Sequence, residues 1–128
     1  MAKPRMVALA LIIGFALGGV AGQKLHAQSH PPAYVISEIE VTNPDAYAKE
    51  YVPLANKALA DSGQKRLASG GRTVSLAGAP PASRVVVSVF ESMEKAQAAY
   101  SSPAYVDARK LGDRYGKLRI FAVEGLAP

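Results

Sequence analysis

The sequence predicts a small α+β domain of the split βαβ type, an antiparallel four-stranded sheet with its helices on one face. Three observations carry that expectation. Residues 34–41 (YVISEIEV) alternate with a period of two, residues 44–61 repeat apolar positions at three and four, and residues 84–90 (RVVVSVF) are dominated by valine. Along the chain these periods follow one another as strand, helix, strand, strand, helix, strand.

In the first strand, Val35, Ser37, Ile39 and Val41 share one face and Tyr34, Ile36, Glu38 and Glu40 the other. Thr42-Asn43-Pro44-Asp45 then starts a helix, with Thr42 or Asn43 as cap, Pro44 in the first turn and Asp45 at the positive end of the dipole. Tyr47, Tyr51, Leu54, Ala55, Ala58 and Leu59 form its core-facing stripe. Pro53 should kink or split this helix, and Ser62-Gly63 ends it.

A second strand region is expected over residues 65–76, interrupted at Ser69-Gly70-Gly71 by a hairpin-like bend or bulge. Ala79-Pro80-Pro81 turns the chain into the valine-rich strand. Ser92 caps a helix over 93–100, and Ser102-Pro103 restarts a helical stretch in which Tyr105, Val106 and Arg109 share a face. Residues 117–124 (KLRIFAVE) form the last strand. A middle strand that is apolar on both sides must be covered on both sides. With both helices on one sheet face, the other is expected to meet the same face of a second copy, giving a homodimer.

The 128 residues are 49% hydrophobic and 20% charged, which suits one globular domain. The formal charge of +5 includes Lys3, Arg5 and Lys24; setting these aside leaves 12 of the 15 Lys and Arg against 10 Asp and Glu. Those charges are mixed in sign along the chain, so nucleic-acid binding is not expected. The chain has no cysteine, which excludes disulfides and thiolate chemistry and fits an oxidising compartment as well as a reducing one.

Residues 6–22 (MVALALIIGFALGGVAG) carry no charge and follow Lys3 and Arg5, the form of a secretory signal, with a cut after Ala27. The alternative is an uncleaved anchor, because 17 residues lie at the short limit for crossing a bilayer and Gly14, Gly18 and Gly22 are spaced four apart. Either way the basic residues stay cytoplasmic and the domain is exported, to the periplasm or beyond, or held outside the inner membrane. Residues 1–27 are thus a leader, 28–32 (QSHPP) a linker and 33–126 the domain.

AYVISEIEVTNPDAY, the Gly70-Gly71-Arg72 bend, SSPAY, the valine strand and RIFAVEG together resemble the domain-of-unknown-function family 1330. The likeness runs from about Ala33 to about Gly125. It implies a ferredoxin-like fold and a dimeric α/β barrel, and it implies no established reaction.

Glu38 and Glu40 point to the same strand face, where a carboxylate enclosed by a partner would rise toward general-base pKa values. Glu38 is the candidate catalytic residue, against the alternative of a solvated rim or an arginine pair. Tyr34, Arg72, Tyr105 and Arg119 are the candidate ligand-binding residues: the arginines as carboxylate binders or salt-bridge partners, the tyrosines as polar groups in an apolar cleft or as core. Tyr100 belongs with Tyr105 in that choice.

His26 and His30 are the only histidines, and neither lies in the domain, so no metal site and no Ser-His-Asp triad is expected. Gly70-Gly71 is not followed by the Lys-Ser/Thr of a phosphate loop, and no cofactor is expected. Two functions from different classes stand. One is a module that binds a small, partly apolar molecule between sheet and helices. The other is a cofactor-free enzyme, monooxygenase- or isomerase-like, acting on a small aromatic or quinone-like compound, by analogy between dimeric α/β barrels.

Overall fold

A computed structural model of the chain describes residues 30–128, with residues 31–126 forming one compact unit. The leader expected at 1–27 and the first two residues of the linker expected at 28–32 lie outside the described residues. Among the described residues no helix is long and apolar enough to cross a membrane.

Four strands, β1 (Ala33–Val41), β2 (Lys65–Ser69), β3 (Arg84–Phe90) and β4 (Gly116–Glu124), form one sheet in the order β2-β3-β1-β4. All neighbours are antiparallel. The first helix, α1, starts at Pro44–Ala46, passes through a π-helical turn at Tyr47–Tyr51 and continues as Val52–Asp61. After β3 come α2 (Met93–Ser101) and α3 (Pro103–Tyr115). This is the expected split βαβ order, with the second helical region divided at Ser102.

The alternation of β1 decides which side the helices cover. Ala33, Val35, Ser37 and Ile39 are buried, and they join Phe90 of β3 and Tyr47, Tyr51, Ala55, Ala58, Leu59, Ala96, Ala99, Tyr105 and Ala108 of the helices in one core. Alanines on three helices let the helix axes approach the sheet closely, and the tyrosines fill what the alanines leave. Asn43, not Thr42, caps α1, accepting from the Ala46 N–H at 3.2 Å. The N–H groups of Thr42 and Asn43 both donate to the Tyr115 carbonyl, at 2.8 and 3.2 Å, tying the start of α1 to the end of α3.

Pro53 produces the expected irregularity in a specific form. A proline has no N–H and its ring crowds the carbonyl four residues back. The chain accommodates this by a π turn directly before it, in which the Val52 N–H reaches back to the Tyr47 carbonyl. The wider turn rotates Leu54 off the core stripe, and Leu54 is 51% exposed. On α3 the inward face is Tyr105, Ala108 and Gly112, at spacings of three and four, while Val106 points outward.

The second strand is shorter than its composition suggests. Pairing with β3 ends at Ser69↔Val86, with a register shift between Arg66 and Ala68. The Gly70 N–H donates to the Val85 carbonyl at 2.9 Å, and Gly70 then takes φ +69, turning the chain off the ladder. Residues 70–83 run without helix or strand, and Leu76 is 93% exposed. Ser83 closes this segment onto β1, its N–H donating to Glu40 Oε1 at 3.2 Å and its hydroxyl to the Ile39 carbonyl at 3.3 Å.

Candidate functional site

Between sheet and helices lies a hollow of about 50 Å³ that four tyrosines surround. The π turn places Tyr47 and Tyr51 side by side with ring centroids 5.0 Å apart. Tyr105 enters from the first turn of α3, where Ser102 Oγ accepts its backbone N–H at 3.3 Å and fixes the entry angle. Its hydroxyl lies 3.4 Å from that of Tyr51. Tyr100, near the end of α2, meets Tyr105 edge to face at 4.8 Å and Phe90 at 6.0 Å. The aromatic side chains thus form one continuous wall.

The floor is the helix-covered face of the sheet, and two of its side chains are small and polar. Ser37 and Ser88 are buried there at 7% and 1% exposure, where valine-sized groups would otherwise fill the layer. Gln64 Nε2 donates to Ser88 Oγ at 3.2 Å and reaches the Tyr100 hydroxyl at 3.4 Å. At the rim stand Asn56, Arg66, Ser69 and Arg84, with Arg66 donating to Asn56 Oδ1 at 3.2 Å. Arg84 Nη2 donates to Ser69 Oγ at 3.2 Å, while its buried Nε has no hydrogen-bond partner among the described residues.

Burial governs the chemistry of these phenols. It pushes the Tyr51 hydroxyl far above its ordinary value, and Tyr105 beside it adds to the effect. Burial also raises Tyr100, against opposition from hydrogen bonds with Ser37, Ser88 and Gln64, and raises Tyr47, against opposition from Arg84. The three hydroxyls stay protonated at neutral pH and can donate. Among the described residues no carboxylate and no histidine lines the hollow. A second hollow of about 210 Å³ shares Tyr100, Tyr105 and Ile120 and adds Val35, Gln97, Arg109 and Phe121. Arg109 there is held by Asp113, Nε to Oδ1 at 2.9 Å.

Of the candidate site residues singled out from the sequence, Tyr105 and Tyr100 line these hollows, and the others do not. Glu38 and Arg119 are register partners on β1 and β4 and form an ion pair on the opposite, uncovered face. Glu38 is 23% exposed and Arg119 73%, so the pair is partly solvated. The two line a surface groove of about 500 Å³ with Glu40, Pro80, Pro81 and Lys117. Arg119 also lies over the Phe121 ring at 4.9 Å. Tyr34 is on the uncovered face too, its ring packed so close to Gly125 that a Cβ there would stand 2.7 Å from it. Arg72 is exposed in the 70–83 segment and lines none of the three.

At the Gly70-Gly71 bend the backbone comes close to another group, the Arg84 guanidinium. A Cβ on Gly70 would stand 2.1 Å from Arg84 Nη1. Sequence reasoning missed Arg84, Gln64, Ser37 and Ser88 as site residues. The available signal was the serines themselves, each breaking an apolar strand face.

The family model for the domain of unknown function DUF1330 matches residues 32–126. The chain belongs to this family. No match is found among curated proteins. Among solved structures, the DUF1330 chain is similar to RPA0582, a protein of unknown function from Rhodopseudomonas palustris, with a TM-score of 0.61 and 17% identity over 86% of this chain and 94% of that one. It is also similar to SnoaB, a cofactor-independent oxygenase from Streptomyces nogalater, with a TM-score of 0.52 and 8% identity over 73% of this chain and 91% of that one. At such identities the likeness is one of fold, and the fold of this DUF1330 chain is ferredoxin-like α+β. Among its described residues there is no cluster of His, Cys, Asp or Glu that could hold a metal ion.

Proposed function

We propose that this domain binds a small, partly apolar molecule in the hollow between sheet and helices. The observation that carries the reading is the hollow's mixed lining: four tyrosine rings beside Ile39, Val86 and Ile120, with neutral hydroxyls, Gln64 and Arg84 available as polar contacts. Small-molecule sites combine apolar walls with a few placed polar groups in this way. A binding module rather than an enzyme fits better because no proton acceptor of ordinary basicity lines either hollow, and Glu38 stands on the other face. The enzymatic alternative draws support from the fold likeness to SnoaB alone, and a fold does not by itself carry a function.

The chain has no tryptophan, and four of its six tyrosines line the hollow, so tyrosine emission reports on it directly. Titration with 2-naphthol should quench that emission saturably, and a Tyr105→Ala variant should lose the saturable phase. Linear, non-saturating quenching in the wild-type chain would sink the reading.

The same proposal includes a homodimer and export. Val85, Val87 and Val89 line up with Tyr34, Ile36, Phe121 and Val123 across the uncovered sheet face, an apolar patch suited to its own copy. Sedimentation of the full chain at micromolar concentration tests the dimer, with a monomer refuting it. Cell fractionation tests export, and recovery of intact protein in the cytosol would refute that part.

A further inference from the structure

We infer that the molecule bound between sheet and helices carries an anionic oxygen, a carboxylate or a phenolate, and that Arg84 Nε is its docking point. This rests on the cleft-binding reading and specifies the ligand's charge.

Placing the Arg84 Nε there carries a cost. An arginine keeps its charge in any protein environment, and a guanidinium nitrogen removed from water without an acceptor forfeits the hydration it had. Buried cations therefore sit beside carboxylates or bound anions. Arg84 is half-buried, its Nη2 at the rim on a serine hydroxyl and the Tyr47 hydroxyl beside it; among the described residues no carboxylate forms an ion pair with it, and its Nε is buried and unpaired.

The local backbone is arranged to hold the guanidinium in that position. Arg84 opens β3 on the helix-covered side, and Gly70 lies against Nη1 and Cζ, at distances where any β-carbon would collide. Gly70 also holds a positive φ that other residues adopt at a cost. The positive φ thus favours the glycine, and the missing β-carbon leaves the room that the guanidinium occupies.

The remainder of the lining agrees on the sign of the charge. Arg66 supplies a second cation at the rim, and Gln64 and the tyrosine hydroxyls can donate hydrogen bonds. Among the described residues no acid in the lining offsets them. A hollow of donors and cations with no carboxylate selects an oxygen that accepts, and most strongly one that is charged. Its volume, about 50 Å³, matches a small head group bearing such an oxygen.

The test compares acids with their neutral isosteres: benzoate against benzamide and butyrate against butyramide, each titrated calorimetrically into the full chain at pH 7. The wild-type chain should favour each acid by about tenfold, the value of one charge-assisted contact over a neutral one. Arg84→Gln should abolish the preference, bringing each acid down to the affinity of its amide in the same variant, and Arg84→Lys should keep part of it. Gly70→Ala, which displaces the guanidinium without removing it, should also reduce the preference and covers the case in which Arg84→Gln fails to fold. Equal binding of acid and amide by the wild-type chain would overturn the role of Arg84 and leave cleft binding standing. Binding of none of the four at millimolar concentration would overturn both.

Discussion

The hydroxyls of Tyr51 and Tyr105 lie 3.4 Å apart within the layer between sheet and helices, although 54 residues separate them along the chain. That distance is longer than a strong hydroxyl–hydroxyl bond, so the pair contributes modestly to stability. Its importance is positional, because it joins the π turn of α1 to the first turn of α3 and sets the width of the hollow.

Tyr51→Phe should therefore cost about 1 kcal/mol of stability, the usual worth of one buried hydrogen bond. Urea unfolding checks it. A loss above about 3 kcal/mol would mean that the hydroxyl holds more than this single contact.

Gly112→Ala should be more damaging than its size suggests. A Cβ there would stand 2.9 Å from Cε2 and 3.0 Å from Cδ2 of Tyr51, and an aromatic ring in a packed layer has little room to withdraw. The expected cost is about 1–3 kcal/mol, as for other overpacked cores, with a shift of the Tyr51 ring resonances. An unchanged urea midpoint and spectrum would show that the layer is looser than described.

The buried phenols give the protein an alkaline limit. Tyr47, Tyr51 and Tyr100 all have folded-state values raised above the ordinary 10.0, with burial the leading cause in each. Below pH 10 both folded and unfolded chains keep these protons, and the contribution is intact. Above it the unfolded chain releases them while the folded chain does not, so stability falls with rising pH. The urea midpoint should decline from about pH 10 upward, with the phenolate absorbance of these residues appearing only as the fold is lost. Reversible ionisation of all six tyrosines near pH 10 in the folded chain would contradict this.

Glu38→Gln should have little effect on the hollow. The carboxylate lies on the uncovered face and its ion pair with Arg119 is partly solvated, so its loss should cost at most about 1 kcal/mol. Affinity for 2-naphthol should remain within twofold of wild type. A tenfold loss would place the ligand in the groove beside Glu38 instead.

The order of elements and the faces of β1 were legible because strand period and helix caps are local properties. Ser92 caps its helix as the sequence suggests, and Ser102 caps the helix restarted after it, each accepting a backbone N–H three residues on. Leu54 and Val106 escaped the same reasoning. A π turn before Pro53 rotates the one off its stripe, and the small residues Ala108 and Gly112 are what α3 turns inward in preference to the other. The extent of β2 was also illegible, because Val74 and Leu76 are apolar yet lie beyond the point where Gly70 leaves the ladder. The site was the least legible part. Charged residues on strands attract notice, and Glu38 and Arg119 point away from the hollow. The groups that shape it, Gln64 and Arg84, acquire their meaning from packing between distant segments.

The position of a bound ligand tests the account most directly. A crystal structure of the full chain grown with saturating benzoate should place the ring between sheet and helices, with the carboxylate on Arg84 Nε and within reach of the Tyr51 and Tyr105 hydroxyls. Benzoate seated in the Glu38–Arg119 groove, with the tyrosine hollow unoccupied, would contradict it.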